Sequence, residues 1–174
     1  MYYPQCSVAF HPASCRLIEG LSRLEYRGYD SSGVAINNQT GVFSHRAVGK
    51  VQALKDRFKA EPLDGKMGIA HTRWATHGGV SEMNAHPHVA SDRVAIVHNG
   101  IIENYRSIRA RLIEKGHKFS SDTDSEVLAH LFVEAFDAGL NPGQAMQKVL
   151  AEIDGAYAFA AIVEDSPDVI MVAR

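Results

Sequence analysis

Cysteine is scarce in this chain: Cys6 and Cys15 are the only two among 174 residues. Both lie near the start, too few for a disulfide framework and at a spacing that matches no zinc module, so a reducing, cytoplasmic setting is the default. Long apolar runs are missing as well. The longest, Ala156 to Val163, falls far short of a membrane span, and the opening MYYPQCSVAFHP has neither a basic flank nor an unbroken apolar segment. No address to a membrane or out of the cell is expected. Nor does either sign of charge dominate: 18 lysines and arginines stand against 20 acids, and no cluster of cations is dense enough to neutralise several phosphates. Nucleic acid is therefore excluded as a partner, and a small or neutral ligand fits better. What is present is enough apolar residue, 45%, against 22% charged, to bury a core in one domain.

Hydrophobic spacing orders the elements. Leu17, Leu21 and Leu24, with Ile18 beside them, recur at helical period between Ser14 and Tyr26, and Gly28 is expected to stop that helix in a left-handed conformation. Val34–Ile36 and Val42–His45 flank Asn37-Asn38-Gln39-Thr40-Gly41 and read as a hairpin. A short helix with Val51, Leu54 and Phe58 on one face follows, then a strand from Met67 to Ala70 and a second β-branched strand from Val94 to Val97, ending at His98-Asn99-Gly100. Between these strands the polar stretch HTRWATHGG is expected to be a loop.

Tyr105, Ile108, Leu112 and Ile113 predict a helix stopped by Gly116, and Thr123 with Glu126 reads as a capping box opening the next, with Val127, Leu128, Leu131 and Phe132 inside. Asn141-Pro142 supplies an N-cap and first helical position for another. Gly155 precedes a strand over Ala156–Val163, and Asp165-Ser166-Pro167-Asp168 turns the chain into Val169–Val172. Strand pairs alternating with helix pairs give an α+β fold, with sheets covered by helices.

The chemistry concentrates in three places. His71, His77, His86 and His88 would have to converge to make a hydrolytic zinc site. Such a site wants three ligands in fixed geometry, and no HExxH-like motif accompanies them, so loop donors and acceptors are the plainer reading. Arg73 beside Trp74, the single tryptophan, either offers a planar two-pronged donor to a small carboxylate or is a surface arginine next to a core ring. Asn99-Gly100 is either a two-residue turn or an oxyanion hole, an amide and a glycine N–H aimed at one point. Asp124 by itself is a first-turn acid complementing a helix dipole.

Taken together, RLEYRGYDSSGVA (23 to 35), GIAHTRWATHG (68 to 78), NAHPH (84 to 88), VHNGIIEN (97 to 104), SDTDSEVLAHL (121 to 131) and GAYAFA (155 to 160) closely resemble, in this order, the glutaminase domain of the bacterial glucosamine-6-phosphate synthases, the isomerizing glutamine:fructose-6-phosphate aminotransferases. The similarity runs from about Leu17 to Arg174. It implies a class II glutamine amidotransferase with an N-terminal-nucleophile hydrolase fold, two antiparallel sheets sandwiched between helix layers. It also implies the reaction: an N-terminal cysteine attacks the side-chain amide of L-glutamine with its own α-amino group as base, and the ammonia released serves synthesis of glucosamine 6-phosphate from fructose 6-phosphate. By the same resemblance, Arg73 grips the glutamine α-carboxylate and Asp124 its α-ammonium. Thr76 and His77 line the pocket, Trp74 shields it, Asn99 with Gly100 stabilises the oxyanion, and His71, His86 and His88 act as supports. No metal or cofactor is implied, and a homodimer would form through the full-length enzyme.

The resemblance weakens at the start of the chain. The family opens with cysteine after the initiator methionine, whereas counting back from LEYRGYD puts Tyr2 in that slot, and a phenol titrating near ~10 does not replace a thiol ionising near ~8.5. Three accounts stand side by side: Cys6 unmasked as a substitute nucleophile, an aberrant N-terminus, or a catalytically inactive module that binds glutamine. The expectation is a partial type 2 domain over residues 1–174, divergent over 1–14, with later strands and the isomerase domains absent.

Overall fold

A computed structural model describes residues 13–28, 30–38, 40–74 and 79–174. Two antiparallel sheets form its centre. The first has the order β2-β1-β3, from β1 (Ser31–Asn37), β2 (Val42–Val48) and β3 (Met67–Arg73). The second runs β4-β5-β6-β7, from β4 (His88–Ala90), β5 (Val94–Ile102), β6 (Gly155–Val163) and β7 (Ile170–Ala173).

Period-two alternation decides what lies between and outside the sheets. Val34 and Ile36 of β1 face outward and pack with Leu21 of α1 (Ala13–Leu24) and Val51 and Leu54 of α2 (Val51–Ala60). On the other side Ile96, Phe159, Ala161 and Val163 face outward beneath α3 (Tyr105–Glu114), α4 (Glu126–Asp137) and α5 (Pro142–Glu152). The facing sides of the sheets meet over Ala35, Val42, Ile69, Ala95 and Ile162. Helices therefore cover both outer faces, as the motifs imply. Helix α4 is buried nearly all round, in keeping with its run VLAHLFVEA, and α5 opens with a reciprocal capping box between Asn141 and Gln144, as Asn141-Pro142 predicts.

Several expectations are corrected. HTRWATHGG is not a loop throughout: His71-Thr72-Arg73 continue β3, because β1 pairs with them (Ser31 opposite Arg73, Gly33 opposite His71). Likewise β5 does not end at Val97. It runs through Asn99 and Gly100, opposite Ala158 and Tyr157, so these two residues form no hairpin turn. The polar loop leads into β4, a short strand that periodicity did not reveal. Gly28 is extended (φ -176°) rather than left-handed, and its lack of a side chain serves space instead: a Cβ there would sit 3.1 Å from the carbonyl carbon of Arg73.

Thr123 does not cap α4. Its hydroxyl bonds His88 Nε2 and Ser121 Oγ, both at 3.0 Å, while Ser125 occupies the N-cap without a side-chain cap bond. Leu24 is exposed where α1 runs out into a 3-10 turn over Glu25–Arg27. Ile113 is exposed because it lies about 100° round the helix from core-facing Leu112. Among the described residues no helix is long and apolar enough to cross a membrane.

Candidate active site

At one end of the inter-sheet layer the inward residues turn from apolar to polar. Along β3, Met67 and Ile69 give way to His71 and Arg73; along β5, Ala95 and Val97 give way to Asn99. The two sheets are joined there by a hydrogen bond of 3.1 Å between His71 Nε2 and Asn99 Oδ1. With that oxygen accepting from the imidazole N–H, the Asn99 amide keeps its own N–H groups as donors. Next to it Gly100 has φ +120°, and a Cβ would fall 2.1 Å from the Ala156 carbonyl oxygen, so neither the backbone nor the space admits another residue.

The loop from 79 to 87 folds over this end because Gly33, on the inner face of β1, leaves room for it. A Cβ at Gly33 would lie 2.3 Å from the His86 carbonyl oxygen. His86 lies between His71 and His88, its ring tilted against the first and edge-on to the second, with ring centroids 4.5 and 4.6 Å apart; His86 and His88 are buried and His71 is half-buried. Burial pushes each toward the neutral form: His71 downward against the Asn99 bond, His86 well below its ordinary value with its neighbours' charges adding to the effect, and His88 to about 3. Among the described residues no group of three or more His, Cys, Asp or Glu side chains is arranged to hold a metal ion.

Arg73 is only 5% exposed, which removes the reading of it as a surface arginine; its Nη1 donates to the Gly79 carbonyl at 3.4 Å. The same carbonyl accepts from Asn84 Nδ2 at 3.0 Å, and Asn84 Oδ1 accepts from the Asp122 N–H at 2.9 Å. Asn84 is itself buried, in a turn held by Arg46, which donates to the Met83 and Ala85 carbonyls, and by the Arg57–Glu82 ion pair.

The segment carrying Asp124 is fastened at every residue. Ser120 and Ser121 donate through backbone N–H and hydroxyl to Glu126, Asp122 is held by Asn84, and Thr123 by His88. Asp124, 6% exposed, accepts the Ile102 N–H at 2.8 Å, two residues along β5 from Gly100. Ser125 Oγ meets His98 Nδ1 at 2.7 Å. Burial works to raise the Glu126 carboxyl, but the His130 imidazole 3.7 Å away and the hydrogen bonds from Ser120 and Ser121 outweigh it and hold the group well below the usual carboxylate range.

Arg73, Asn99 and Asp124 thus all lie at this end: the first two both neighbour His71, and the third is tied to β5 just beyond Gly100. Trp74, 63% exposed at the end of β3, is no core ring. Thr76, His77, Tyr2 and Cys6 lie outside the described residues. Sequence reasoning missed the bridging position of Asn84, for which NAHPH offered only its place in a motif. It also missed the anchoring of Ser120 and Ser121 by Glu126, whose backward reach had been read as a helix cap.

A family model described as a glutamine amidotransferase domain matches residues 71–174. The chain belongs to that family. As an amidotransferase domain it is 53% identical to the isomerizing glutamine--fructose-6-phosphate aminotransferase of Rhizobium leguminosarum bv. viciae, over 96% of this chain and 27% of that protein. It is 51% identical to the protein of the same name from Zymomonas mobilis, over 91% of this chain and 26% of that protein. The domain therefore spans about a quarter of the length of these curated relatives. Among solved structures it superposes on the glutamine phosphoribosylpyrophosphate amidotransferase of B. subtilis with a TM-score of 0.70 at 26% identity, over 84% of this chain and 32% of that one. Its fold is of the N-terminal-nucleophile hydrolase type.

Proposed function

We propose that this amidotransferase domain binds L-glutamine at the polar end of the inter-sheet layer and releases ammonia from its side-chain amide, for transfer to fructose 6-phosphate in a longer protein that makes glucosamine 6-phosphate. The observation that carries the reading is the His71–Asn99 bond: it turns a strand residue into an oriented amide donor beside a glycine that no other residue can replace. Such a donor, fixed before substrate arrives, stabilises negative charge as it develops on the amide oxygen. Arg73, buried and always charged, grips the α-carboxylate, where a low-dielectric setting strengthens the pair. Asp124, held in place by the Ile102 N–H, receives the α-ammonium. By resemblance to the family, Trp74, Thr76 and His77, which follow Arg73 closely in the sequence, take part in binding the amino acid.

The attacking group in this reading is a thiol activated by a free α-amino group, whose ordinary pKa of ~7.7 to 8.0 suits it to take the thiol proton. The scarcity of cysteine supports a cytoplasmic setting. A second reading, a module that binds glutamine without hydrolysing it, draws on Tyr2 standing in the slot where the family has cysteine.

Calorimetric titration with L-glutamine, run beside an ammonia-release assay and N-terminal sequencing of the same sample, tests both. Saturable binding that Arg73→Leu weakens by at least about tenfold supports the proposed pocket. Ammonia release then distinguishes the enzyme from the binding module. A folded sample that takes up no L-glutamine removes both readings.

A further inference from the structure

The two groups proposed to hold the ends of a free amino acid sit on segments far apart in the chain. Arg73 ends β3, and Asp124 lies in the segment before α4. One side chain links the loop that touches Arg73 to the segment that carries Asp124. Asn84 donates from Nδ2 to the Gly79 carbonyl at 3.0 Å, the same oxygen that Arg73 Nη1 approaches at 3.4 Å, and accepts at Oδ1 from the Asp122 N–H at 2.9 Å. It is 3% exposed, and its own backbone N–H donates to Ser81 Oγ at 3.2 Å. The residues on either side are fastened by Arg46 through the Met83 and Ala85 carbonyls. A buried amide that uses its donor on the carbonyl Arg73 also bonds, in its own loop, and its acceptor on the segment before α4, within a turn fastened on both sides, acts as a spacer between the two.

We infer that Asn84 is a positioning residue that sets the separation between the carboxylate grip of Arg73 and the ammonium grip of Asp124, and so makes the pocket selective for ligands carrying both charges at one α-carbon. The inference rests on the glutamine reading above. Arg73 attracts any carboxylate and Asp124 any amine. Selectivity for an α-amino acid requires that both contacts form at once, without either loop moving, and the binding energy of the second contact is realised only when the spacing is already right. Asparagine meets that need where a longer or one-sided side chain does not, because its short amide presents a donor and an acceptor in fixed relation.

The experiment compares three ligands on the chain: L-glutamine, glutaric acid monoamide, which lacks the amine, and 4-aminobutanamide, which lacks the carboxylate. In the unsubstituted chain, glutamine is expected to bind far more tightly than either analogue. Asn84→Ala is expected to weaken glutamine by about tenfold or more while changing each single-charge analogue by less than about threefold, so that the advantage of carrying both charges shrinks. Asn84→Asp keeps the shape and the acceptor for the Asp122 N–H but loses the donor to Gly79, and is expected to reduce the same advantage. It decides the matter if the alanine variant does not fold. An unchanged ratio of glutamine to analogue affinity in a folded variant, including a uniform weakening of all three ligands, overturns the inference. Failure of the unsubstituted chain to bind glutamine instead removes the functional reading, and the inference falls with it.

Discussion

The two ends of the layer between the sheets are built from the same strands and do opposite work. At one end Ala35, Val42, Ile69, Ala95 and Ile162 close the gap with small and branched apolar side chains. At the other, the next inward positions of β3 and β5 are His71, Arg73 and Asn99, and a loop bearing His86 and Asn84 folds over them through the space left by Gly33. The apolar end gains its stability from removing surface from water. The polar end gains none that way, and its groups are held by hydrogen bonds that reach from the loops to both sheets. One end packs the sheets against each other, and the other keeps oriented polar groups in place; a site of this kind depends on the packing behind it.

Substitutions and conditions that separate the two ends sharpen this contrast. The largest effect is expected at the apolar end: Ile162→Ala, fully buried between the sheets, should cost about 2 to 5 kcal/mol in denaturant unfolding. Glutamine affinity, measured where the variant remains folded, should hardly move. A comparable loss of affinity would show that the ends are not separable.

Acid should act on the polar end. His86 and His88 are held neutral, below their ordinary value of 6.5, so the unfolded chain binds more protons than the folded one as pH falls beneath that value. Their neutral forms are fully accommodated above pH 6.5, and stability is lost progressively as pH drops through the window from 6.5 to about 3. Hydrogen exchange should show the loop from 79 to 87 and β4 opening before α4, and a stability that does not change between pH 7 and 5 would contradict the buried neutral histidines.

The smallest effect concerns an exception. Asn37 is polar yet lies at the apolar end, where its Nδ2 donates to the Val163 carbonyl at 2.7 Å and stitches the sheets together. Asn37→Ala should cost about 1 to 2 kcal/mol, from the carbonyl left unsatisfied, and leave glutamine binding intact. A change in binding would make Asn37 part of the site rather than of its support.

How far the sequence reaches varies along the chain. The α5 start was legible because Asn141, Pro142 and Gln144 carry their capping chemistry within four residues. The β1–β2 hairpin was legible from its turn residues and flanking runs. The last three residues of β3 and the passage of β5 through Asn99-Gly100 were not. Polar residues at alternate positions look like loop unless the strand opposite is known, and Asn-Gly signals a turn only when no neighbour demands extension. Thr123 and Glu126 had the right spacing for a cap but found better partners elsewhere, His88 for one and Ser120 with Ser121 for the other.

Read alone, the residues settled the order of the helices and of every strand but β4, the family, and which side chains were candidates for chemistry, since these depend on local periodicity and on motifs that survive without contacts. Which candidates stand together was decided only in three dimensions. His71 meets Asn99 across 28 positions of chain, Asn84 meets Asp122 across 38, and Asp124 finds the Ile102 N–H across 22. The physical reason is register. Alternation says which face of a strand a residue takes, but the offset between two sheets, and the loop that glycine lets in, arise from the packing of the whole molecule.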